Sequence, residues 1–238
     1  AHAVLLGRTS VGLRSDCERI HREALPEVAL IGHSNCGKSA LLNALTGDFV
    51  RKGKATVNDR AGWTMRLHYY WARPKFMLNE AQGGAGRGLL LVDTPGYGFA
   101  VGDEAELRQW KRLLEAYIVS SRKLQLALVL VDCCRGLCDS DRKLLKTLSR
   151  AGVPIQLALT KCDLLTPEEL AGSHDIVRTQ LAELREACAW PMGAIPTTYL
   201  APPFPAGIAN LWGVISERLA RIKALQAKAR VDASSAET

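Results

Sequence analysis

A chain of 238 residues is long enough for one sizeable α/β domain with a buried core; two small domains are permitted but not required. Its 47% hydrophobic and 23% charged content is ordinary for a globular protein, and no apolar run approaches the ~20 residues of a membrane-spanning helix, so no membrane partner is expected. The formal net charge of +7 tilts the expectation toward acidic partners such as nucleic acid or an anionic membrane surface.

In chain order, residues 1–25 read as an N-terminal extension. Residues 28–31 form a short apolar run that feeds a glycine-rich loop, and Leu41, Leu42 and Leu45 then recur at helical spacing. Met65, Leu67, Tyr69 and Trp71 alternate with Thr64, Arg66, His68 and Tyr70, which predicts a half-buried strand. Residues 75–88, with Gly83, Gly84, Gly86 and Gly88, read as a mobile insertion between two strands. Buried strands are predicted at 89–92, 126–131 and 155–159. Helices between them carry Leu107, Trp110, Leu114, Tyr117 and Ile118, then Leu144, Leu145 and Leu148. Thr166-Pro167-Glu168-Glu169 is a capping box with proline at the first helical position. Gly207 opens a last helix through Leu211, Trp212, Ile215 and Leu219, and a basic, then polar tail at 226–238 is expected to be disordered from Val231 onward. The alternation of strand and helix predicts a three-layer α/β fold: a mostly parallel central sheet with helices on both faces.

Seven cysteines, an odd number, do not suggest a secreted disulfide framework. Cys133, Cys134 and Cys138 form a C-C-x-x-x-C cluster, but zinc sites need a second, well-spaced ligand pair and none is evident. Plain reduced thiols are the expectation.

The chemistry begins at Gly32-His33-Ser34-Asn35-Cys36-Gly37-Lys38-Ser39, which follows a strand and opens a helix, the setting a phosphate-binding loop requires. Backbone N–H groups of residues 35–39, with Ala40 in the same helical turn, would wrap phosphates at a helix N-terminus. Lys38 would bind the β and γ oxygens, and the Ser39 hydroxyl would ligate Mg²⁺. Asp93-Thr94-Pro95-Gly96 ends a second buried strand, where an acid can hold Mg²⁺ through water and a glycine N–H can meet the γ-phosphate. Thr160-Lys161-Cys162-Asp163 ends a third. A carboxylate at Asp163 can accept from guanine N1–H and the exocyclic amine, a donor pair that adenine lacks, while the Lys161 stem can lie along the ring. Three such elements in this order predict GTP and GDP as ligands.

The runs LPEVALIGHSNCGKSALLNALT and DTPGYGFAV, with VDCCRGLCDSD, LTKCDLL and GIANLW, resemble the EngB-type ribosome-assembly GTPases over residues 25–225. The resemblance implies a G domain over 26–225 that contains the 75–88 insertion. It implies that Gly62, Trp63 and Thr64 belong to the first switch, with Thr64 completing the Mg²⁺ shell beside Ser39 and Asp93. Thr197 and Thr198 resemble the family's serine pair near the base. Lys38, Thr64 and Gly96 are then the residues that act on the γ-phosphate. The implied partners are a large-ribosomal-subunit precursor, with its rRNA and proteins, and other assembly factors, the chain being monomeric off the ribosome. His33 stands where the family usually has arginine, Cys36 where it has valine, and Ala61-Gly62-Trp63-Thr64 replaces Pro-Gly-Arg-Thr.

Tyr97 occupies the place where signalling GTPases use a glutamine to orient the attacking water, so slow intrinsic hydrolysis is expected. Asn35 reads equally as a loop-stabilising amide or as a ligand of K⁺. Arg51, Lys52 and Lys54 near the first switch, with Arg218, Arg221, Lys223, Lys228 and Arg230 toward the C-terminus, suit rRNA phosphates. A GTP-binding scaffold that never hydrolyses its nucleotide is the alternative; a signalling GTPase and a P-loop kinase are weaker ones. Residues 1–15 hold Arg8 and Arg14 but no acid, as after trimming of an organellar presequence. The expected location is the mitochondrial matrix, with the bacterial cytoplasm as the alternative.

Overall fold

Four runs rich in Leu, Val, Ile and Ala, too hydrophobic to leave either face in water, set the architecture. Such strands are stable only in a sheet covered on both sides. The computed structural model describes residues 4–10, 25–46, 67–73, 88–97, 104–184, 191–196 and 207–236. They form strands β1 (Val4–Ser10), β2 (Glu27–Gly32), β3 (His68–Arg73), β4 (Leu89–Asp93), β5 (Leu124–Asp132), β6 (Ile155–Thr160) and β7 (Pro191–Pro196). The helices are α1 (Lys38–Thr46), α2 (Glu104–Ser120), α3 (Asp139–Arg150), α4 (Pro167–Leu184) and α5 (Ile208–Ala236).

The seven strands lie in the order β1-β3-β4-β2-β5-β6-β7. Pairing is parallel from β4 through β7 and antiparallel at β1·β3 and β3·β4. One core packs Leu114, Tyr117 and Ile118 of α2, Leu144, Leu145 and Leu148 of α3, and Val177 and Leu181 of α4 against one face. A second packs Leu41, Leu42 and Leu45 of α1 and Leu211, Trp212, Ile215 and Leu219 of α5 against the other. The expected three-layer fold is therefore present. β2 lies at its centre, and its chain leaves through α1 on one face while the chain from neighbouring β4 leaves toward α2 on the other. That divergence opens a crevice at the carboxyl ends of the strands, where open α/β sheets bind ligands.

The capping box forms as expected. The Thr166 N–H donates to Glu169 Oε2 at 2.8 Å and the Glu169 N–H to Thr166 Oγ1 at 3.3 Å, opening α4. Gly207 takes φ +75° at the start of α5.

Four expectations change. Tyr70, placed by alternation on a solvated face, is 1% exposed, and Tyr69 on the opposite face is also buried. β3 lies inside the sheet rather than at its margin, so both of its faces are covered. The segment read as an extension contributes β1, paired with β3 across a register shift between Leu5 and Arg8. β7 has no sequence signature at all, and its two prolines are tolerated because it is an edge strand. Finally, α5 continues to Ala236 through most of the segment expected to be a disordered tail, since no glycine or proline follows Gly213 to stop it.

Candidate nucleotide site

The phosphate loop curls tightly because it can adopt left-handed backbone at two places. Asn35 has φ 60° and Gly37 φ 96°, and asparagine is among the few residues with a side chain that tolerates this region. Gly32 must lack a side chain, since a Cβ there would lie 2.6 Å from Cys36 Sγ and 2.8 Å from Leu130 O. α1 begins at Lys38, with Leu41 N–H donating to Gly37 O at 2.8 Å. The N–H groups of Lys38, Ser39 and Ala40 occupy the first turn, where no intrahelical acceptor exists, and the helix end adds positive potential.

Lys38 is 9% exposed and its Nζ donates to Gly32 O at 3.0 Å and His33 O at 2.9 Å. The loop's own carbonyls thus aim the ammonium across the cradle. Ser39 is half-buried in the same turn, and Asp93 is buried at the end of β4. A hydroxyl and a carboxylate are hard oxygen donors of the kind Mg²⁺ prefers. Gly96 closes the other side. A Cβ on it would meet Lys38 Nζ, Ser34 Cα and Ser34 Oγ, each at 2.8 Å, so this chain segment touches the phosphate loop at van der Waals limits.

Two backbone bonds hold that approach. The Ser34 N–H donates to Tyr97 O at 2.8 Å and the Tyr97 N–H to Gly32 O at 3.3 Å, a parallel bridge that extends β4 toward the loop. The Tyr97 ring stands edge-on to His33, with centroids 5.7 Å apart. Its hydroxyl donates to Asp141 Oδ1 inside the core. Asp141, at the third position of α3, also accepts from Cys138 N–H at 2.8 Å and Cys138 S–H at 2.9 Å. Burial, with the Asp141 carboxylate next, pushes the Tyr97 phenol well above its ordinary range. Asp141 is a residue the sequence reading missed. Its only signal was its place three residues after Cys138, and cysteine is not a usual helix cap.

Several predicted site residues turn their side chains inward. Thr94 Oγ1 donates to Leu30 O at 2.9 Å, and the Cys36 side chain is 2% exposed, with burial raising its thiol pKa. Thr160 Oγ1 donates to Cys36 O at 2.7 Å, tying the third loop to the first across 124 residues. Pro95 is buried; His33 is half-buried, with Nδ1 3.0 Å from Ser34 O and 3.4 Å from an Arg135 guanidinium nitrogen. Thr94, Cys36 and Thr160 shape the cradle with side chains turned into the core, while the half-buried His33 stays at its rim.

At the third loop Lys161 has φ 61°, and its Nζ pairs with Asp132 Oδ2 at 2.7 Å. Asp132, also absent from the sequence reading, fixes the direction of the lysine stem from the end of β5. Asp163 is exposed in the short 3₁₀ turn Cys162–Leu164. Gly62, Trp63, Thr64, Thr197 and Thr198 lie outside the described residues, as do Arg51, Lys52, Lys54 and residues 75–87 of the insertion.

Arg218 fixes where the last helix lies on the sheet. Arg218 Nε donates to Gln125 O at 3.3 Å, near the start of β5. Gly32, which opens the phosphate loop, pairs instead with Leu130. Five residues of strand separate the two positions, roughly 17 Å. Arg218 and Arg221 therefore belong to the end of the sheet away from the nucleotide crevice. Burial first and then the Arg221 charge lower the Arg218 pKa.

Three loops at the carboxyl ends of β2, β4 and β6, interlocked by Thr160 and Tyr97, define a P-loop GTPase. The family model described as 50S ribosome-binding GTPase matches residues 27–161. A probable GTP-binding protein EngB of Rhodopseudomonas palustris strain HaA2 is 40% identical over 157 residues, 66% of either chain. Its counterpart in strain BisA53 is 33% identical over 192 residues, 81% of this chain and 82% of that one. A third, from Rhodospirillum rubrum, is 38% identical over 159 residues, 67% of this chain and 63% of its own. The chain belongs to the EngB family of GTP-binding proteins. Among solved structures, Era of Aquifex aeolicus bound to GDP·AlF₄⁻ shares the fold at TM-score 0.60 and 18% identity, over 82% of this chain and 56% of that one. A probable GTP-binding protein engB does so at TM-score 0.57 and 23% identity, over 82% of this chain and 99% of that one.

Proposed function

We propose that the chain is a nucleotide-dependent switch in assembly of the large ribosomal subunit, binding GTP with Mg²⁺ and hydrolysing it slowly. The carrying observation is the contact of Gly96 with Lys38 and Ser34. A γ-phosphate must enter beside that contact, so the segment after β4 responds to its presence or loss. Lys38 holds the phosphate oxygens, the backbone N–H of Gly96 meets the γ-phosphate, and Asp163 selects guanine. Mg²⁺, held by Ser39, Asp93 and Thr64, would neutralise charge on the β and γ oxygens.

Slow hydrolysis follows from Tyr97. A buried phenol that donates to Asp141 is unavailable to orient water, so turnover rests on positioning and electrostatics. The same observation favours the second reading, a GTP-binding scaffold without turnover. Asn35 would hold K⁺ as a further charge at the phosphates, although its left-handed backbone already accounts for asparagine there. Faster turnover in K⁺ than in Na⁺, lost in Asn35→Ala with nucleotide binding intact, would support the ion; equal rates would remove it.

Basic residues of α5 suit rRNA phosphates on a surface away from the crevice. The test is sedimentation of the protein with large-subunit precursors under a GTP analogue, GDP and no nucleotide. Preferential binding with the analogue is expected. Removing Arg218, Arg221 and Lys223 together should flatten its salt dependence by up to about three units. Equal sedimentation in all three states leaves the scaffold, and none removes the ribosome from the account.

A further inference from the structure

With the Tyr97 phenol turned into the core, hydrolysis still needs a group that holds the attacking water. Most side-chain hydroxyls of the crevice are taken up by the fold. Thr94 Oγ1 donates to Leu30 O, Thr160 Oγ1 to Cys36 O and the Tyr97 phenol to Asp141. Ser39 opens α1, where its hydroxyl would serve Mg²⁺. Among the described residues that leaves Ser34, whose hydroxyl makes no hydrogen bond there. By sequence it is only a member of the phosphate loop.

Ser34 sits at the tip of a tight turn. The Cys36 N–H donates to His33 O at 3.2 Å across that turn, and Asn35 takes φ 60° within it. Both backbone groups of Ser34 are engaged: its N–H donates to Tyr97 O at 2.8 Å, and its carbonyl lies 3.0 Å from His33 Nδ1. The Cα is therefore fixed, and the side chain leaves it toward Gly96. A Cβ on Gly96 would lie 2.8 Å from Ser34 Oγ and equally 2.8 Å from Lys38 Nζ. Hydroxyl, ammonium and the Gly96 backbone thus converge on one place. Lys38 and the Gly96 N–H are the groups proposed to meet the γ-phosphate, and the hydroxyl lies beside both. Ser34 is only half-buried, so water reaches it.

We propose that the Ser34 hydroxyl is a catalytic group of GTP hydrolysis, holding the attacking water against the γ-phosphate in the role that Tyr97 cannot fill. This role rests on the reading of the chain as a switch that hydrolyses its nucleotide. A hydroxyl carries one donor and two acceptor lone pairs, the paired capacity that a core-bound phenol has lost. Oγ accepts a hydrogen bond from the water, and its own hydrogen points to a γ-phosphate oxygen. The water oxygen bonds to the γ-phosphorus as the bond from phosphorus to the β–γ bridging oxygen breaks. That electron pair leaves on GDP. The water proton, relayed through Oγ, ends on the released phosphate, so Ser34 is unchanged after each turnover. A neutral hydroxyl orients water without supplying charge, which keeps the rate slow.

The experiment compares the full chain with Ser34→Ala, which removes the hydroxyl and keeps the Cβ. Single-turnover release of inorganic phosphate from GTP should slow by about tenfold or more. GTP and GDP affinities, measured with fluorescent analogues, should stay within about threefold, and retained GDP binding shows that the variant folds. Binding of GDP with aluminium fluoride and Mg²⁺, a mimic of the transition state, should weaken by about the same factor as the rate. A rate within about twofold of the parent would overturn the catalytic role and leave the switch reading intact. Equal weakening of GTP, GDP and the fluoride complex would make Ser34 a structural residue of the loop and overturn it as well. No turnover in the parent would remove hydrolysis itself, and the hydrolysing switch with it.

Discussion

Replacing Tyr97 with phenylalanine removes one oxygen from the core and preserves the ring. The phenol is 2% exposed and donates to Asp141 Oδ1, while Asp141 is itself 3% exposed. The variant therefore takes a donor from a buried carboxylate whose other oxygen stays bound to Cys138. A hydrogen bond to a charged group contributes about 1.5–3 kcal/mol, and here the lost donor leaves a desolvated acceptor behind, so about 2 kcal/mol is expected. For a chain of this size that lowers Tm by about 4–8 °C. Thermal unfolding followed by calorimetry measures it, and a double-mutant cycle with Asp141→Asn isolates the pair. GTP affinity should change less than about twofold, because the bridge from Tyr97 to the phosphate loop uses backbone atoms. A Tm within about 1 °C of the parent would refute the energetic argument. Unchanged stability with a large loss of GTP turnover would instead place the phenol at the phosphates.

Both buried phenols make stability fall at high pH. Burial, followed by Asp141 for Tyr97 and Glu27 for Tyr117, raises their pKa values above the ordinary 10.0. Their contribution is complete below about pH 10 and is lost as pH rises toward the folded-state values; denaturant unfolding across that range should show the decline, reduced in Tyr97→Phe. Gly96→Ala puts a methyl 2.8 Å from Ser34 Cα, a backbone atom that cannot swing away. It should weaken GTP binding by about tenfold or more and GDP binding less, measured with fluorescent nucleotides; equal effects on both would place Gly96 away from the γ-phosphate. Asp163→Asn should cost guanine nucleotides about 3 kcal/mol and admit xanthine nucleotides, whose exocyclic oxygen can accept from the new amide; unchanged GTP affinity would exclude this loop from base recognition.

What the sequence determined by itself is local. Continuous apolar runs marked β2, β4, β5 and β6, the Thr166–Glu169 box marked the start of α4, and the glycine and lysine spacing marked the phosphate loop. Each signal lies within a few residues because it reflects backbone geometry or burial of one segment. β1 and β7 escaped because their strand character comes from neighbours: β1 pairs with β3, and β7 lies along β6 despite its prolines. Tyr70 escaped for the same reason, since alternation describes one covered face and the sheet covers two. The contacts that organise the crevice span long distances in sequence: Thr160 to Cys36, Tyr97 to Asp141, Lys161 to Asp132, and Cys133 to Thr160. No periodicity encodes them. They exist because parallel pairing sets the carboxyl ends of β2, β4, β5 and β6 side by side, and only that register decides which side chains meet.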